Sequence, residues 1–383
     1  MTSASLLVPL WNRAAEWARR LTMVREAHAF LYLSTYYVEY DEYGIDMLDA
    51  LAAAQHRGVA VNLLIDGFGQ RLGGVLMSET QKASLASRLA DLARAGAVVT
   101  TYRPGRRLQR WLGGGQHVKI QLSEQGEAIF GSSNLSRSSF EGWNEYSVAV
   151  RGPVVPTLLD SYREIGGTVD DSHLDQLRAA VEPTRADLAL EYWLCNPNTR
   201  QGTGGPLGWR GANEVTDGLV KRIAEARQSI LITSFYFKPV ESVLAALAAA
   251  ARRGVEVEVH HSHRDALPAT DLAWIAAAAS YDRLLGAGVH VYENRQGEHS
   301  KIVLIDGEWV AFGSYNFEHA AHDRLAEAML VSRDARAIDP ATRVFAELRE
   351  HPDNLLVTRE ILRDLPGWLR ARRTLLGPFK RWM

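Results

Sequence analysis

The chain has 383 residues, of which 46% are apolar and 23% charged, and its 43 basic and 45 acidic residues give a net charge of −2. This length predicts about two domains, and the near-neutral charge disfavours a dedicated nucleic-acid-binding protein, which usually has a clear basic excess. Cys195 is the only cysteine, which excludes an intrachain disulfide and a cysteine-rich zinc site and fits a cytoplasmic location.

The beginning of the chain and its apolar runs do not predict membrane insertion. Residues 6–10 are apolar, but Asn12 and Arg13 follow too soon for a signal peptide. No stretch approaches the roughly 18 apolar residues that a membrane span needs. Any membrane contact is therefore expected to be peripheral.

In chain order, predicted strands alternate with predicted helices, and the succession occurs twice. In each half a β-rich run is followed by an Ala-rich helix, a helix-ending glycine (Gly58, Gly254) and an apolar strand. A further helix, a second such glycine (Gly96, Gly288) and another strand follow. The predicted strands are 30–38, 59–65 and 98–102 in the first half, and 230–237, 255–260 and 289–292 in the second. This alternation predicts two α/β domains.

One polar pattern with identical spacing begins on the next strand of each half. The offsets from each histidine are +2, +14, +15, +17 and +28. The first copy consists of His117, Lys119, Gly131, Ser132, Asn134 and Glu145; the second consists of His299, Lys301, Gly313, Ser314, Asn316 and Glu327. Coincidence at six fixed positions, twice, is negligible, so these residues are predicted to form a functional site.

The chemistry of these residues suits transfer at a phosphodiester. Residues i and i+2 of a strand point the same way, so each histidine lies beside its lysine, and a hairpin returns the Ser-x-Asn pair alongside them. One neutral imidazole can attack phosphorus while the other acts as acid and base. Lysine, asparagine and serine groups can bind the non-bridging oxygens. The glutamates are suited to accept a hydrogen bond from imidazole Nδ1. This chemistry needs no metal or other cofactor.

At these positions the sequence resembles the phospholipase D superfamily, whose hallmark is His-x-Lys-x4-Asp-x6-Gly-Ser-x-Asn. The second copy, with Asp306, matches throughout, whereas the first has Glu124 in place of the aspartate. The resemblance covers about 20–350 and implies that this acid supports the site, as do Gly131 and Gly313. It also implies a phosphohistidine intermediate, with His117 as nucleophile and His299 as acid and base.

The fold that this resemblance implies is α/β. It consists of two pseudo-symmetric phospholipase D-like α/β sandwich domains with mixed sheets flanked by helices and one active site at their interface. The predicted divisions are a first domain over 1–195 (motif 117–134), a linker over 196–212, a second domain over 213–360 (motif 299–316) and a basic, aromatic tail over 361–383.

Within the superfamily the chain looks most like bacterial cardiolipin synthases and related phosphatidyltransferases, which implies phosphatidylglycerol-type substrates. Two alternatives stay open: a phospholipase D-type hydrolase, which differs only in using water rather than an alcohol as acceptor, and a phosphodiesterase or nuclease. The expected partners are phospholipid, alcohol or water, and an anionic phospholipid membrane surface, with no nucleic acid. The expected location is the inner face of the bacterial cytoplasmic membrane, as a peripheral protein.

Two basic and aromatic segments are candidates for contact with that membrane or with substrate. One is the loop before His117, ten residues longer than its counterpart, and the other is the tail. The candidate residues are Arg106, Arg107, Trp111, Trp368 and Trp382.

A few other polar residues are assigned no catalytic role. Glu127 and Glu298 are interpreted as surface residues. His260, His261 and His263 are predicted to lie in a loop near the substrate rather than in a metal site, because no matched carboxylate or cysteine accompanies them.

Overall fold

The computed structural model describes residues 2–180, 186–199, 212–267 and 271–376. The helices are α1 Arg13–Glu26, α2 Glu42–His56, α3 Gly67–Gly73, α4 Glu79–Arg94, α5 Arg107–Trp111, α6 Val154–Glu164, α7 Asp171–Ala180, α8 Glu214–Glu225, α9 Glu241–Arg252, α10 Leu272–Ala278, α11 Tyr281–Ala287, α12 His319–Asp323, α13 Ala335–Glu350, α14 Arg359–Asp364 and α15 Gly367–Leu376.

The strands of the described residues are short, as expected for an α/β protein. They are β1 Thr2–Ala4, β2 Leu6–Leu10, β3 Phe30–Thr35, β4 Ala60–Asp66, β5 Val98–Tyr102, β6 Gly115–Gln116, β7 Lys119–Ser123, β8 Glu127–Gly131, β9 Ser147–Arg151, β10 Leu188–Cys195, β11 Ser229–Ser234, β12 Phe237–Lys238, β13 Glu256–Ser262, β14 His290–Asn294, β15 Ile302–Ile305, β16 Trp309–Gly313, β17 Phe317–Glu318, β18 Leu325–Ser332 and β19 Asn354–Leu356.

Helix ends lie where the glycines predict them. Gly58 follows α2 with φ of 91°, and its counterpart Gly254 follows α9 with φ of 92°. Only glycine adopts this left-handed conformation without a steric penalty, so each helix stops there and the chain turns into the next parallel strand.

Each half contains one large mixed sheet, and β12 and β17 form a separate two-stranded sheet. The first has the order β2-β9-β8-β7-β3-β4-β5, in which β3, β4 and β5 are parallel and the others antiparallel. The second contains the equivalent strands in the order β1-β10-β18-β16-β15-β11-β13-β14-β19. The hairpins β7–β8 and β15–β16 occupy equivalent places, with Lys119 opposite Gly131 and Ile302 opposite Phe312. The prediction of two related mixed α/β sheets is confirmed.

The sheets exchange strands across the halves. β1 and β10 precede the predicted linker but hydrogen-bond within the second sheet, where Cys195 lies opposite Glu327. β6 pairs with β18 in the same sheet. A division at residue 195 therefore assigns three strands of the second sheet, β1, β6 and β10, to the first domain. The domain limits stay a prediction, and residues 200–211 of the linker lie outside the described part of the chain.

An apolar core shared by both sheets holds the halves together. It includes alternate residues of β7, β8, β15 and β16 together with α6 and α13. Phe130 and Phe312 are both fully buried in it. The opposite faces of the sheets pack against separate helical layers, α1, α2 and α4 on one side and α8 to α11 on the other. Both faces of each sheet are covered, as the continuous apolar runs predict.

Candidate active site

Backbone hydrogen bonds between the halves position the two histidines. The His117 amide donates to the carbonyl of Ala326, and the His299 amide donates to the carbonyl of Asn144, both at 2.8 Å. Ala326 and Asn144 directly precede the two motif glutamates. Each histidine is therefore hydrogen-bonded to the residue that precedes the glutamate of the other half.

The histidines and glutamates consequently pair crosswise. His117 Nδ1 lies 3.0 Å from Glu327 Oε1, and His299 Nδ1 lies 2.8 Å from Glu145 Oε2. All four side chains are almost completely buried. A carboxylate that accepts the Nδ1 proton leaves the Nε2 lone pair of a neutral imidazole available. Each half-site thus requires a residue from the opposite half.

The motif serines hold these carboxylates in place. Ser132 Oγ donates to Glu145 and Ser314 Oγ donates to Glu327. A hydroxyl has one proton to donate, so here each serine orients the glutamate of its own half. The sequence predicted instead that the serine hydroxyls bind the non-bridging oxygens of the substrate.

The two carboxylates differ in one donor. Ser139 Oγ also donates to Glu145, at 2.7 Å, whereas the residue at the same offset in the second copy is Ala321. Burial raises the pKa of Glu145, but His299, Lys301 and Ser132 outweigh it and lower that pKa to about 2. At Glu327 burial prevails and raises the pKa to about 8. The carboxyl groups of Glu145 and Glu327 therefore differ in pKa, although they occupy equivalent positions in the two halves.

Both lysines are buried beside the histidines. Lys119 Nζ donates to the carbonyl of His117 at 2.7 Å, and Lys301 Nζ donates to that of His299. Burial and the charge of Lys301 lower the pKa of Lys119 well below its usual value, and burial lowers that of Lys301 to about 8. Burial also lowers the pKa of His117, and it lowers that of His299 to about 3. An anion between the lysines would favour all four protonated forms.

The asparagines differ in their contacts. Asn316 Oδ1 accepts the amide of Phe235 at 3.3 Å. Asn134 is 1% exposed, and neither its Oδ1 nor its Nδ2 has a hydrogen-bonding partner among the described residues. A buried amide without partners costs free energy, and such a cost is commonly retained where a group serves a ligand.

Aromatic side chains that the motif does not include surround the imidazoles. Tyr36 and Phe235 follow the equivalent strands β3 and β11 by one residue. Their rings meet His117 and His299 edge-on, at centroid distances of 4.7 and 4.6 Å. Trp143 also stacks on His299 at 4.9 Å. Because Tyr36 and Phe235 occupy equivalent positions after equivalent strands, a comparison of the two halves of the sequence could have identified them as residues near the site.

The motif acids and glycines have supporting contacts. Glu124 accepts the amide of His28 at 2.7 Å, and Asp306 accepts those of residues 227–229, so both hold the segment before the first parallel strand. A Cβ on Gly131 would lie 2.4 Å from Ser147 Cα, and one on Gly313 would lie 2.3 Å from a carbonyl oxygen. These glycines therefore permit close strand packing.

Two predicted surface residues are buried instead. Glu298 is 0% exposed; it accepts the Ser300 amide at 3.1 Å and Asn144 Nδ2 at 3.1 Å. Burial raises the pKa of Glu298 to about 7. Glu127 is 7% exposed because Arg19 and Arg151 form ion pairs with it. The surface interpretation was wrong for both, since each has partners distant in sequence.

The predicted substrate loop at His260–His263 is also corrected. His260 and His261 are buried within β13, where His260 stacks on Tyr292 and His261 Nε2 lies 2.6 Å from the Tyr281 hydroxyl. Within the described residues, no group of three His, Cys, Asp or Glu side chains could hold a metal ion.

The described membrane-contact candidates are exposed at the surface of the protein. Arg106, Arg107 and Trp111 are exposed at α5. Trp368 is exposed on α15, a helix whose Leu369 is buried in the second core. Trp382 lies outside the described residues. None of the described helices is long and apolar enough to cross a membrane.

Comparison with known proteins decides the family. The profile described as "Cardiolipin synthase, PLD-like domain" matches residues 21–165 and 219–349, which together exceed half of the chain. The chain belongs to this family. Its resemblance to the phospholipase D superfamily, and the prediction of an enzyme of that type, are confirmed.

Named relatives and a solved structure agree with this. The chain is 27% identical to cardiolipin synthase B of Salmonella typhimurium over 81% of this chain and 72% of that protein. It is 28% identical to the cardiolipin synthase of Alkalihalophilus pseudofirmus over 79% of this chain, but spans only 58% of that relative. The crystal structure of phosphatidylserine synthase from Haemophilus influenzae Rd KW20 matches with a TM-score of 0.74 at 13% identity, over 100% of this chain and 95% of that one. This likeness confirms the twinned fold.

Proposed function

We propose that this member of the family is a phosphatidyltransferase that makes cardiolipin from phosphatidylglycerol-type phospholipid at the surface of a membrane. The observation that carries the proposal is the crossed pairing of His117 with Glu327 and of His299 with Glu145. It supplies two imidazoles, each oriented by a glutamate side chain, in one buried site with two lysines. The names of the relatives support the choice of lipid.

The reaction would proceed in two displacements. The Nε2 lone pair of one neutral imidazole attacks phosphorus, and the bond from phosphorus to the glycerol oxygen breaks. The other imidazole, protonated at Nε2, gives its proton to the leaving alkoxide. In the second step that imidazole takes the proton of an incoming alcohol, whose oxygen displaces the histidine and restores it.

Three groups would stabilise the transition state. Lys119 and Lys301 face developing negative charge on the non-bridging oxygens, and the partnerless Asn134 amide can donate to one of them. The phosphodiester also favours the imidazolium form of the acid, because an adjacent anion raises a histidine pKa. These interactions strengthen as charge develops, which is what accelerates the reaction.

The assignment of nucleophilic attack to His117 rests on the superfamily resemblance. Quenching the protein during turnover of labelled phosphatidylglycerol, followed by peptide mapping, would locate the phosphohistidine. Label on the peptide with His117 supports the assignment, and label on the peptide with His299 reverses it.

Incubation with phosphatidylglycerol vesicles, with and without EDTA, followed by lipid mass spectrometry, tests the function. Cardiolipin and glycerol as products support it, and phosphatidic acid without cardiolipin indicates the hydrolase instead. If no lipid turns over and a nucleic acid is cleaved, both lipid activities are refuted. The proposal includes a peripheral position on the inner face of the cytoplasmic membrane, which fractionation of cells and a high-salt wash would test.

A further inference from the structure

An exposed apolar surface lies beside the first histidine. Eleven large apolar side chains are exposed among the described residues. Five of them lie within two short segments, α3 with the turn after it (67–76) and α5 (107–111). They are Leu72, Val75, Leu76, Leu108 and Trp111, with Trp111 the most exposed at 77%. We call this set, with the arginines around it, the α3–α5 face.

The two segments form one surface. Phe68 of α3 packs on Gly113, just after α5, where an added Cβ would lie 3.0 Å from the ring. Arg71 donates to the carbonyl of Arg110 and lies over the Phe68 ring. The two segments that carry the exposed apolar side chains are therefore in contact with each other, and exposed apolar side chains that share one surface indicate an interaction site.

The charge of this face has one sign. Residues 67–78 and 98–116 contain no aspartate or glutamate. Exposed arginines surround the apolar side chains, and none pairs with a carboxylate within the part of the chain that the structure describes. They are Arg71, Arg103, Arg106, Arg107 and Arg110. Exposed tryptophan and leucine among arginines that have no carboxylate partner in the described residues fit an interface with anionic headgroups.

The α3–α5 face is joined by one carboxylate to Gln116, the residue before His117. Asp66 accepts the amides of Phe68 and Gly69 at the start of α3, and with its other oxygen the amide of Gln116 at 2.8 Å. Gly69 packs on the Tyr36 ring, whose edge meets His117. A single aromatic ring thus separates α3 from the imidazole.

We propose that the α3–α5 face is the surface that docks on an anionic phospholipid bilayer and presents lipid to the site at His117. The identity of the lipid substrate rests on the proposed function, whereas the docking surface rests on the exposed side chains and charges of the α3–α5 face. Leu72, Val75 and Leu76 would enter the interface together with Trp111, while the arginines bind phosphate groups. The tail, whose helix α15 packs by Leu369 on the second core, is not required.

Co-sedimentation with vesicles of equal parts phosphatidylglycerol and phosphatidylcholine tests the proposal. The variant Val75→Ser/Trp111→Ser removes two exposed apolar side chains of the face. Its matched control, Ile361→Ser/Leu375→Ser, removes two from α14 and α15 that are 49% and 70% exposed. The first should weaken vesicle binding roughly ten-fold or more, and the control should not. Arg106→Gln/Arg107→Gln should weaken it roughly 30-fold on these vesicles, and binding to pure phosphatidylcholine should be weak throughout.

Kinetics separates docking from chemistry. In the Val75→Ser/Trp111→Ser variant, the rate on vesicles divided by the rate on a dispersed short-chain phosphatidylglycerol should fall about as much as vesicle binding does. Loss of vesicle binding in the control, but not in the Val75→Ser/Trp111→Ser variant, would overturn the proposal. It would also be overturned if the wild type bound no vesicles but self-associated, and the Val75→Ser/Trp111→Ser variant did not self-associate. Vesicle binding that depends on the α3–α5 face, without lipid turnover, would support the docking surface and refute the proposed function.

Discussion

Replacement of Glu298 by glutamine is expected to stabilise the protein at pH 8 and to change little at pH 5. Glu298 is fully buried, and burial raises its pKa from 4.5 to about 7. The folded protein therefore holds this proton more tightly than the unfolded chain does. The stability that the protonated form provides is lost as pH rises from about 4.5 to about 7.

The magnitude follows from the pKa shift. A change from 4.5 to about 7 corresponds to roughly 3 kcal/mol of lost stability at pH 8 and to about 1 kcal/mol or less at pH 5. Glutamine is neutral at both values, so the variant should lack this part of the pH dependence.

The fold already accommodates glutamine at the equivalent place. Gln116 precedes His117 as Glu298 precedes His299, and it is also 0% exposed. The Val118 amide donates to Gln116 Oε1 at 3.1 Å, as the Ser300 amide does to Glu298. In Glu298→Gln the Asn144 amide, which now donates to the carboxylate, would rotate to accept a hydrogen bond.

Urea unfolding of both proteins at pH 5 and pH 8, followed by circular dichroism, measures the effect. The variant should be more stable than the wild type at pH 8 by roughly 3 kcal/mol, with the difference mostly gone at pH 5. Parallel pH dependence in the two proteins would refute the reasoning. Glu127→Gln is a suitable control, because arginines lower the pKa of Glu127 and the same substitution should destabilise the protein.

Asn134→Ala should lower lipid turnover roughly 100-fold. It should leave the free energy of unfolding unchanged or raise it by about 1 kcal/mol, because the side-chain amide of Asn134 has no partner among the described residues. A large loss of stability would contradict this. Glu145→Gln and Glu327→Gln should each lower kcat by about 100-fold or more with little change in KM, and wild-type rates would exclude the crossed pairs. Asp306→Ala should cost about 2 kcal/mol of stability and spare kcat; because the pKa of Asp306 is lowered, the difference should shrink as pH falls below 4, and a pH-independent difference would argue against it.

The repeated pattern was sufficient to predict two related α/β halves and to place each histidine beside its lysine. The functional role of the motif residues stays a prediction. His117 lies just before β7, which begins at Lys119, and Lys119 Nζ donates to the His117 carbonyl as the expected closeness of positions i and i+2 requires. The helix-ending glycines have a similar local cause. The apolar runs likewise indicated strands covered on both faces, which the alternate packing of β15 in two cores bears out.

The pairing between halves could not be predicted from the sequence. Glu145 and Glu327 have the same offset from their own histidines, so nothing in the spacing tells whether a glutamate serves its own histidine or the opposite one. Only the backbone bonds from His117 to Ala326 and from His299 to Asn144 decide this. The serine roles depend on the same arrangement.

Burial of charged residues was the other feature that local patterns could not determine. Glu298 and Glu127 look like surface residues because charged side chains usually are. Their partners lie far along the chain, as Asn144 does for Glu298 and Arg19 for Glu127. The sequence by itself determined which residues each half contributes, because strand period and turn chemistry are local. Only the tertiary structure decided which half each residue serves and which charges are buried, because these depend on contacts between residues far apart in the chain.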